Sequence, residues 1–346
     1  MSVVSVIGAG SWGTAFSGVV AEHADEVRLW CHSPEVARSI GATRHNPRYL
    51  VGYELPQNVV ATPSLAEATR GCDACVLALP STHIREVCRE IGPSLPTSVP
   101  VVTLTKGIEP ESGKLMTEVA ADELGAPERM AALSGPNHAE EVCLGVPSAA
   151  VIAANDLGLA RSLRSRVCTS AFRVYVSPDV RGVEVCGAVK NVVAIASGVC
   201  VGMGFGDNTL ALLMTRGVAE MGRVAKALGG DPITCMGLAG MGDLVATCTS
   251  EHSRNRRFGE AFVKGCTLAQ FESETHMVVE GAHAVVSVRE LAARIGVEAP
   301  IADAVWSVVY EGASPYDMAS ALMDREPTEE FYGMGTWAKG DPEPRG

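Results

Sequence analysis

The run Val3-Val4-Ser5-Val6-Ile7, followed at once by Gly8-Ala9-Gly10-Ser11-Trp12-Gly13, decides the fold. The first five residues are apolar or small, mostly β-branched and too short for a helix, which predicts a strand. The glycines predict a turn, and residues 14–22 have the composition of a helix leaving it. Between strand and helix, Gly-x-Gly-x-x-Gly is the context in which a turn holds a dinucleotide. Gly8 permits the tight turn, Gly10 lets the backbone approach a pyrophosphate, and Gly13 lets helix pack against strand. Free N–H groups and the dipole at the helix start favour the phosphates. The competing reading is a tight turn that holds no ligand.

Outward from this unit, strand-like runs at 27–30, 74–79, 101–105, 131–133, 148–153 and 172–176 alternate with helical stretches. Several are apolar throughout, as expected of parallel strands covered on both faces. The expected fold class is α/β, with an N-terminal Rossmann-like doubly wound sheet over residues 1–180. After residue 180 the texture changes. Residues 180–201, 210–228, 278–295 and 301–310 have helical length, with glycine-rich links such as Gly202-Met203-Gly204-Phe205-Gly206 between them. They predict a C-terminal all-helical domain over 181–331, its first helix following the last strand almost without a linker. A tail over 332–346, rich in glycine, proline and charge, is expected to be loose.

The bulk properties limit the function. A chain of 346 residues is too long for one ordinary core. With 47% apolar and 20% charged residues it has a globular composition. A net charge of −12 argues against nucleic acid or an anionic membrane as partner. An anionic substrate would need a local cluster of cations. No apolar run reaches the ~18–20 residues of a bilayer span, so no membrane insertion is expected. No basic segment precedes Val3, so a cytoplasmic location is expected. The 11 cysteines are scattered from Cys31 to Cys266, and Cys72-Asp73-Ala74-Cys75 has no second pair at zinc spacing. They read as reduced thiols, with no metal expected.

Five polar segments stand out. Thr105-Lys106-Gly107 and Ser134-Gly135-Pro136-Asn137-His138-Ala139 each end a predicted strand, at the sheet edge where ligands of open α/β folds bind. Lys106 belongs either to that site or to the solvated surface. Lys190, in Gly187-Ala188-Val189-Lys190-Asn191, lies in a stretch otherwise small and apolar, where an unpaired buried amine is costly. It either snorkels to solvent or acts as an acid–base group whose pKa is lowered by burial and a neighbouring cation. Asp243, in Gly240-Met241-Gly242-Asp243-Leu244, is a helix cap or a carboxylate orienting that lysine. Ser253-Arg254-Asn255-Arg256-Arg257 is the densest positive cluster, suited to a phosphate dianion or to a solvated helix face.

Taken together, in this order along nearly the whole chain, these segments resemble the NAD(P)-dependent sn-glycerol-3-phosphate dehydrogenases of the bacterial type. Val279-Glu280-Gly281 belongs to the same pattern. The resemblance implies reversible hydride transfer between sn-glycerol 3-phosphate and dihydroxyacetone phosphate with NAD or NADP, supplying phospholipid synthesis, by a homodimer. It implies Lys190 as proton acceptor, with Lys106 and Asp243 beside it. It implies substrate contacts from Lys106, Gly135, Asn137, Lys190, Asp243, Ser253, Arg254 and Asn255. Ser11, Trp12, His32, Tyr49, Lys106, Ala139, Arg254, Val278 and Glu280 match positions lining the cofactor, beside the glycines of the turn. Asn137 departs from the family, which generally has serine or threonine there; its amide still donates a hydrogen bond.

The end of the second predicted strand reads Leu29-Trp30-Cys31-His32-Ser33, without the carboxylate that would accept from a ribose 2′-hydroxyl about 20 residues after the glycines. NADPH acceptance is therefore favoured, with His32 and Arg38 or Arg44 near the 2′-phosphate. Two rival readings are a related two-domain hydroxy-acid dehydrogenase and a non-catalytic dinucleotide sensor.

Overall fold

The computed structural model describes residues 2–275 and 278–334. An eight-stranded sheet dominates the N-terminal half: β1 (Val3–Ile7), β2 (Glu26–Trp30), β3 (Val59–Thr62), β4 (Ala74–Leu77), β5 (Val101–Thr103), β6 (Met130–Ser134), β7 (Ser148–Ala153) and β8 (Phe172–Ser177). Their order is β3-β2-β1-β4-β5-β6-β7-β8. Successive residues of β1 serve opposite faces, as the period of two requires. Val4 and Val6 pack with Phe16, while Val3 and Ile7 pack with Ile84 and Met116. Both faces of β1 are covered, which is why its one polar residue is the small, buried Ser5.

Two departures from the sequence expectation concern this sheet. β3 is absent from the strands read off the sequence, because it is four residues long and half exposed on one side, with Val60 50% exposed. The sheet is also not parallel throughout. β7 runs antiparallel to β6, pairing Ser134 with Val151, and β8 runs parallel to β7. The link from β6 to β7 holds a helix of only four residues, Ala139–Val142, too short to carry the chain back along the sheet for a parallel crossover.

The C-terminal half is helical. Its axis is the 23-residue helix Val180–Gly202, which begins three residues after β8 ends. By length and composition it could cross a membrane, yet helices Asp207–Ala227, Arg254–Val263 and Glu280–Arg294 pack around it and 72% of its apolar window is buried. Close approach there depends on missing side chains. A Cβ at Gly198 would collide with the Arg256 carbonyl, and one at Gly259 with the Ile195 carbonyl, so the helices cross backbone to backbone. The helices Asp243–Thr249 and Arg254–Val263 lie beyond those expected from the sequence.

The start of the expected loose tail is docked. Tyr332 lies under the Arg223 guanidinium, 4.4 Å from its carbon, and Met334 packs on Gly222. The rest of that tail lies outside the described residues. Cys72 and Cys75 are buried free thiols at the entrance of β4, where desolvation pushes Cys72 up to about 11 and Cys75 well above its ordinary value. Among the described residues no group of three or more His, Cys, Asp or Glu could hold a metal.

The two halves are pegged by Glu184 of the central helix. It accepts from Thr117 N (2.9 Å) and Thr117 Oγ1 (2.5 Å), at the start of helix Met116–Leu124. Burial pushes its pKa up to about 7 against these hydrogen bonds. The folded state therefore binds a proton there that the unfolded chain has released, so stability falls as pH rises from about 5 to 7. Glu184→Gln removes the charge while its amide oxygen still accepts from Thr117 N and its amide nitrogen donates to Thr117 Oγ1, whose hydroxyl turns to accept. Chemical denaturation across that range should show the slope reduced in the variant, by an amount on the order of 3 kcal/mol; an unaltered slope refutes the assignment.

Candidate active site

The glycine turn has the geometry that its spacing predicts. Gly8 sits at φ 117°, and a Cβ there would collide with the Ala78 carbonyl at the end of β4. A Cβ on Gly13 would collide with the Gly8 carbonyl, so the turn folds back on the helix. Gly10, by contrast, faces open space, with nothing within 4 Å of a Cβ. It precedes helix Ser11–Ala21, whose first turn has no side-chain cap. Trp12 packs its ring against Phe16 and Phe172 at 5.5 and 6.2 Å, and its buried indole N–H has no partner among the described residues. An open cradle with uncapped amides fits a dinucleotide pyrophosphate.

A second loop is tied to this turn by a residue outside the sequence reading. Asn46 is fully buried and donates to Ala9 O (3.0 Å) and Thr14 Oγ1 (2.9 Å). Its own oxygen accepts from Tyr49 N, which holds Tyr49 beside the turn with a 37% exposed side chain. No motif marks Asn46; only its burial does. His32 is exposed beyond β2, its ring edge-on to Trp30 at 5.9 Å, and Arg38 is exposed on the next helix. Arg44 is not available for a 2′-phosphate. Its guanidinium is spent on the carbonyls of Leu55 and Val59.

The other side of the groove is built from strand ends and the helical domain. Lys106, Val278 and Glu280 line one small cavity with Ser81 and Thr82, which follow β4. Ser81 and Thr82 also fall outside the sequence reading, although the strand-end rule would have found them. Ala139 is buried at the start of its short helix. Gly135, at φ 154°, follows β6 and lets the chain pass against Ala149 and Ala150.

At the centre, one carboxylate holds two ammonium groups. Lys190 Nζ donates to Asp243 Oδ1 (2.5 Å) and to Thr247 Oγ1 (2.7 Å). Lys106 Nζ donates to Asp243 Oδ2 (2.6 Å), with Asn137 Oδ1 and Gly135 O at 3.4 and 3.5 Å. Lys190 is 5% exposed and the Lys106 side chain 15%, so neither lysine is a surface residue. Asp243 is not a cap either. It is the first residue of helix Asp243–Thr249, delivered by a wide turn over Leu238–Gly242 in which Gly242 N bonds Gly237 O. Such widened turns recur at functional sites.

The electrostatics follow from that geometry. Burial lowers the Lys190 pKa, Asp243 raises it and Lys106 lowers it again, leaving it at about 8. Burial opposes ionisation of Asp243, but the two lysines outweigh it and hold the carboxyl below its usual value. His138, bonded to Ala246 O at 3.4 Å, is lowered first by burial and then by repulsion from Lys190. The cluster thus contains an amine that exchanges its proton near neutrality and a carboxylate that does not.

The basic segment divides by burial. Ser253 Oγ caps its own helix by accepting from Arg256 N, and Asn255 brackets two helices, donating to Asn191 Oδ1 (2.9 Å) and accepting from Gly281 N (2.8 Å). Each keeps one hydrogen to donate. Asn191 in turn reaches Glu280 Oε2 at 3.4 Å. Arg254 is exposed and has no ion pair among the described residues, whereas Arg256 is tied to Glu260.

Residues 3–160 match the family model described as the NAD-dependent glycerol-3-phosphate dehydrogenase N-terminus, and residues 179–320 match the C-terminus of the same family. The chain is 42% identical over 334 residues to the glycerol-3-phosphate dehydrogenase [NAD(P)+] of Moorella thermoacetica, covering 96% of this chain and 99% of that one. It is 45% identical to the Streptomyces griseus enzyme of the same name, covering 94% and 97%. The crystal structure of glycerol-3-phosphate dehydrogenase from Coxiella burnetii superposes with a TM-score of 0.89 at 36% identity, over 94% of this chain and 99% of that one. With an open dinucleotide cradle on one side of a lysine–carboxylate cluster and these relatives on the other, the chain belongs to the NAD(P)-dependent glycerol-3-phosphate dehydrogenases.

Proposed function

We propose that Lys190 is the acid–base group of a reversible hydride transfer between sn-glycerol 3-phosphate and dihydroxyacetone phosphate. The observation that carries this reading is the buried Lys190–Asp243–Lys106 cluster at the carboxyl edge of the sheet. Oxidising the secondary alcohol needs a base at its oxygen, and reducing the ketone needs an acid there. An amine with a pKa of about 8 serves both directions. Asp243 holds Lys190 and Lys106 on its two oxygens, so both nitrogens converge on one place for the C2 oxygen. Lys106 stays as the second donor to that oxygen. Arg254, unpaired by any acid among the described residues, takes the phosphate as a fork, helped by the remaining hydrogens of Ser253 and Asn255. Holding the substrate at both ends contributes much of the rate by fixing C2.

NAD or NADP, when bound along the glycine turn, supplies or accepts the hydride. Gly8, Gly10 and Gly13 shape its pyrophosphate cradle; Ser11, Trp12, Tyr49, Ala139, Val278 and Glu280 line the remainder. Exposed His32 and Arg38, with no carboxylate in residues 29–33 at the end of β2, favour NADPH acceptance. We extend the proposal to a cytoplasmic homodimer feeding phospholipid synthesis, with the domain boundary at residue 180 and a tail over 332–346. A non-catalytic sensor is disfavoured because it has no use for a buried amine paired to a carboxylate.

Mixing the protein with dihydroxyacetone phosphate and NADH or NADPH should bleach the nicotinamide absorbance; an inert mixture refutes the assignment. Lys190→Ala should lower kcat by about 100-fold or more while the chain stays folded, and wild-type-like turnover would rule it out as the base. Glycerol 3-phosphate oxidation should rise with pH and level off above about 8, because Lys190 must be neutral, while ketone reduction should fall above the same pH. Arg254→Ala should raise the KM for the phosphorylated substrate roughly 10- to 100-fold; an unchanged KM removes it as the clamp.

A further inference from the structure

Two polar atoms beside the lysine cluster, Ser134 Oγ and Asn137 Nδ2, are buried without a hydrogen-bond partner among the described residues. Ser134 is the last residue of β6 and only 4% exposed. Buried hydroxyls are nearly always bonded, so an orphan facing a substrate site points to a ligand atom. Its position can be measured against the central helix. The point where a side chain on Gly187 would begin lies 3.2 Å from Lys106 Cγ and 3.4 Å from Ser134 Oγ. Gly187 precedes Lys190 by three residues, which puts both on one face of that helix. Ser134 therefore reaches the strip of helix that carries Lys190, alongside the stem of Lys106, and from the sheet side. Arg254 approaches from the helical domain instead. Asn137 is bound to the same Lys106 through its oxygen, leaving its amide hydrogens unused.

Glycerol 3-phosphate presents three polar groups. In the reading above, its phosphate meets Arg254 and its C2 oxygen meets Lys190 and Lys106. The terminal hydroxyl has no partner. We propose that Ser134 Oγ, flanked by the Asn137 amide, binds that terminal hydroxyl and so selects a hydroxymethyl ketone over a methyl ketone. This assignment rests on Lys190 marking the reacting carbon. It makes Ser134 a specificity-determining residue outside the set expected from the sequence. The absence of any side chain at Gly187 is part of the same arrangement, since a Cβ there would crowd the Lys106 stem and touch Ser134.

The test compares kcat/KM for dihydroxyacetone phosphate and for hydroxyacetone phosphate, which has a methyl in place of the terminal CH2OH, in wild type and Ser134→Ala. The variant should lose about tenfold on the first ketone and change less than about twofold on the second, where no such bond exists. Removing an orphaned hydroxyl also relieves its desolvation cost, so the unliganded thermal midpoint should rise by about 2 °C. Equal losses on both ketones, or no loss on either, would overturn the proposal. So would a lowered midpoint, which would mean that the hydroxyl has a structural partner. A wild-type protein inert on both ketones would overturn the reading of the whole site, whereas an unchanged substrate ratio in an active variant overturns the Ser134 assignment alone.

Discussion

The structure depends on the carboxylate of Asp243. Buried at 2% exposure, it holds the ammonium groups of Lys190 and Lys106 at 2.5 and 2.6 Å. Lys106 leaves the sheet after β5, while Lys190 and Asp243 belong to the helical domain. One ionised group therefore joins the two halves at the place where substrate must sit. Removing Asp243 would leave two uncompensated ammonium groups in a nearly dry site, which is far costlier than the cluster itself is stabilising. The same constraint sets the chemistry. Two cations around one anion leave an excess positive charge that favours proton loss from Lys190, while the anion keeps that amine in place.

Much of the remaining architecture brings backbones close enough for these groups to meet. The central helix is flanked by glycines because its neighbours cross it at backbone contact. Gly198 and Gly259 admit helix Arg254–Val263, whose Asn255 then reaches Asn191, the residue after Lys190. The wide turn at Leu238–Gly242 aims the first residue of the next helix inward rather than along the surface. On the sheet side, Gly8 and Gly13 close the dinucleotide turn while Gly10 leaves it open. Packing and function share these positions.

Several residues are fully occupied within the fold although their types suit ligand binding. Arg44 satisfies three carbonyl contacts, and Glu184 pegs the domains through Thr117. Nothing in local sequence separates these from Arg254, which has no ion pair among the described residues; the difference is which carbonyl or carboxylate the fold brings alongside.

Local pattern alone carried the reading of β1 with its glycine turn, of six further strands, and of the long helix Val180–Gly202. These follow from residue type and spacing, because strand and helix periods and the backbone freedom of glycine are properties of a few consecutive residues. Lys190 stood out for a similar reason, as an amine in a run too apolar to leave it unpaired. Its partner Asp243, 53 positions along the chain, stood out only as one of two alternatives, because no local signal separates a cap from an ion-pair member. The reversal of β7, the anchoring of Tyr49 through Asn46, the docking of Tyr332, and the orphaned hydroxyl of Ser134 were likewise decided only by tertiary structure. Burial and pairing are properties of what packs alongside a residue, and that is settled by contacts between segments distant in the chain.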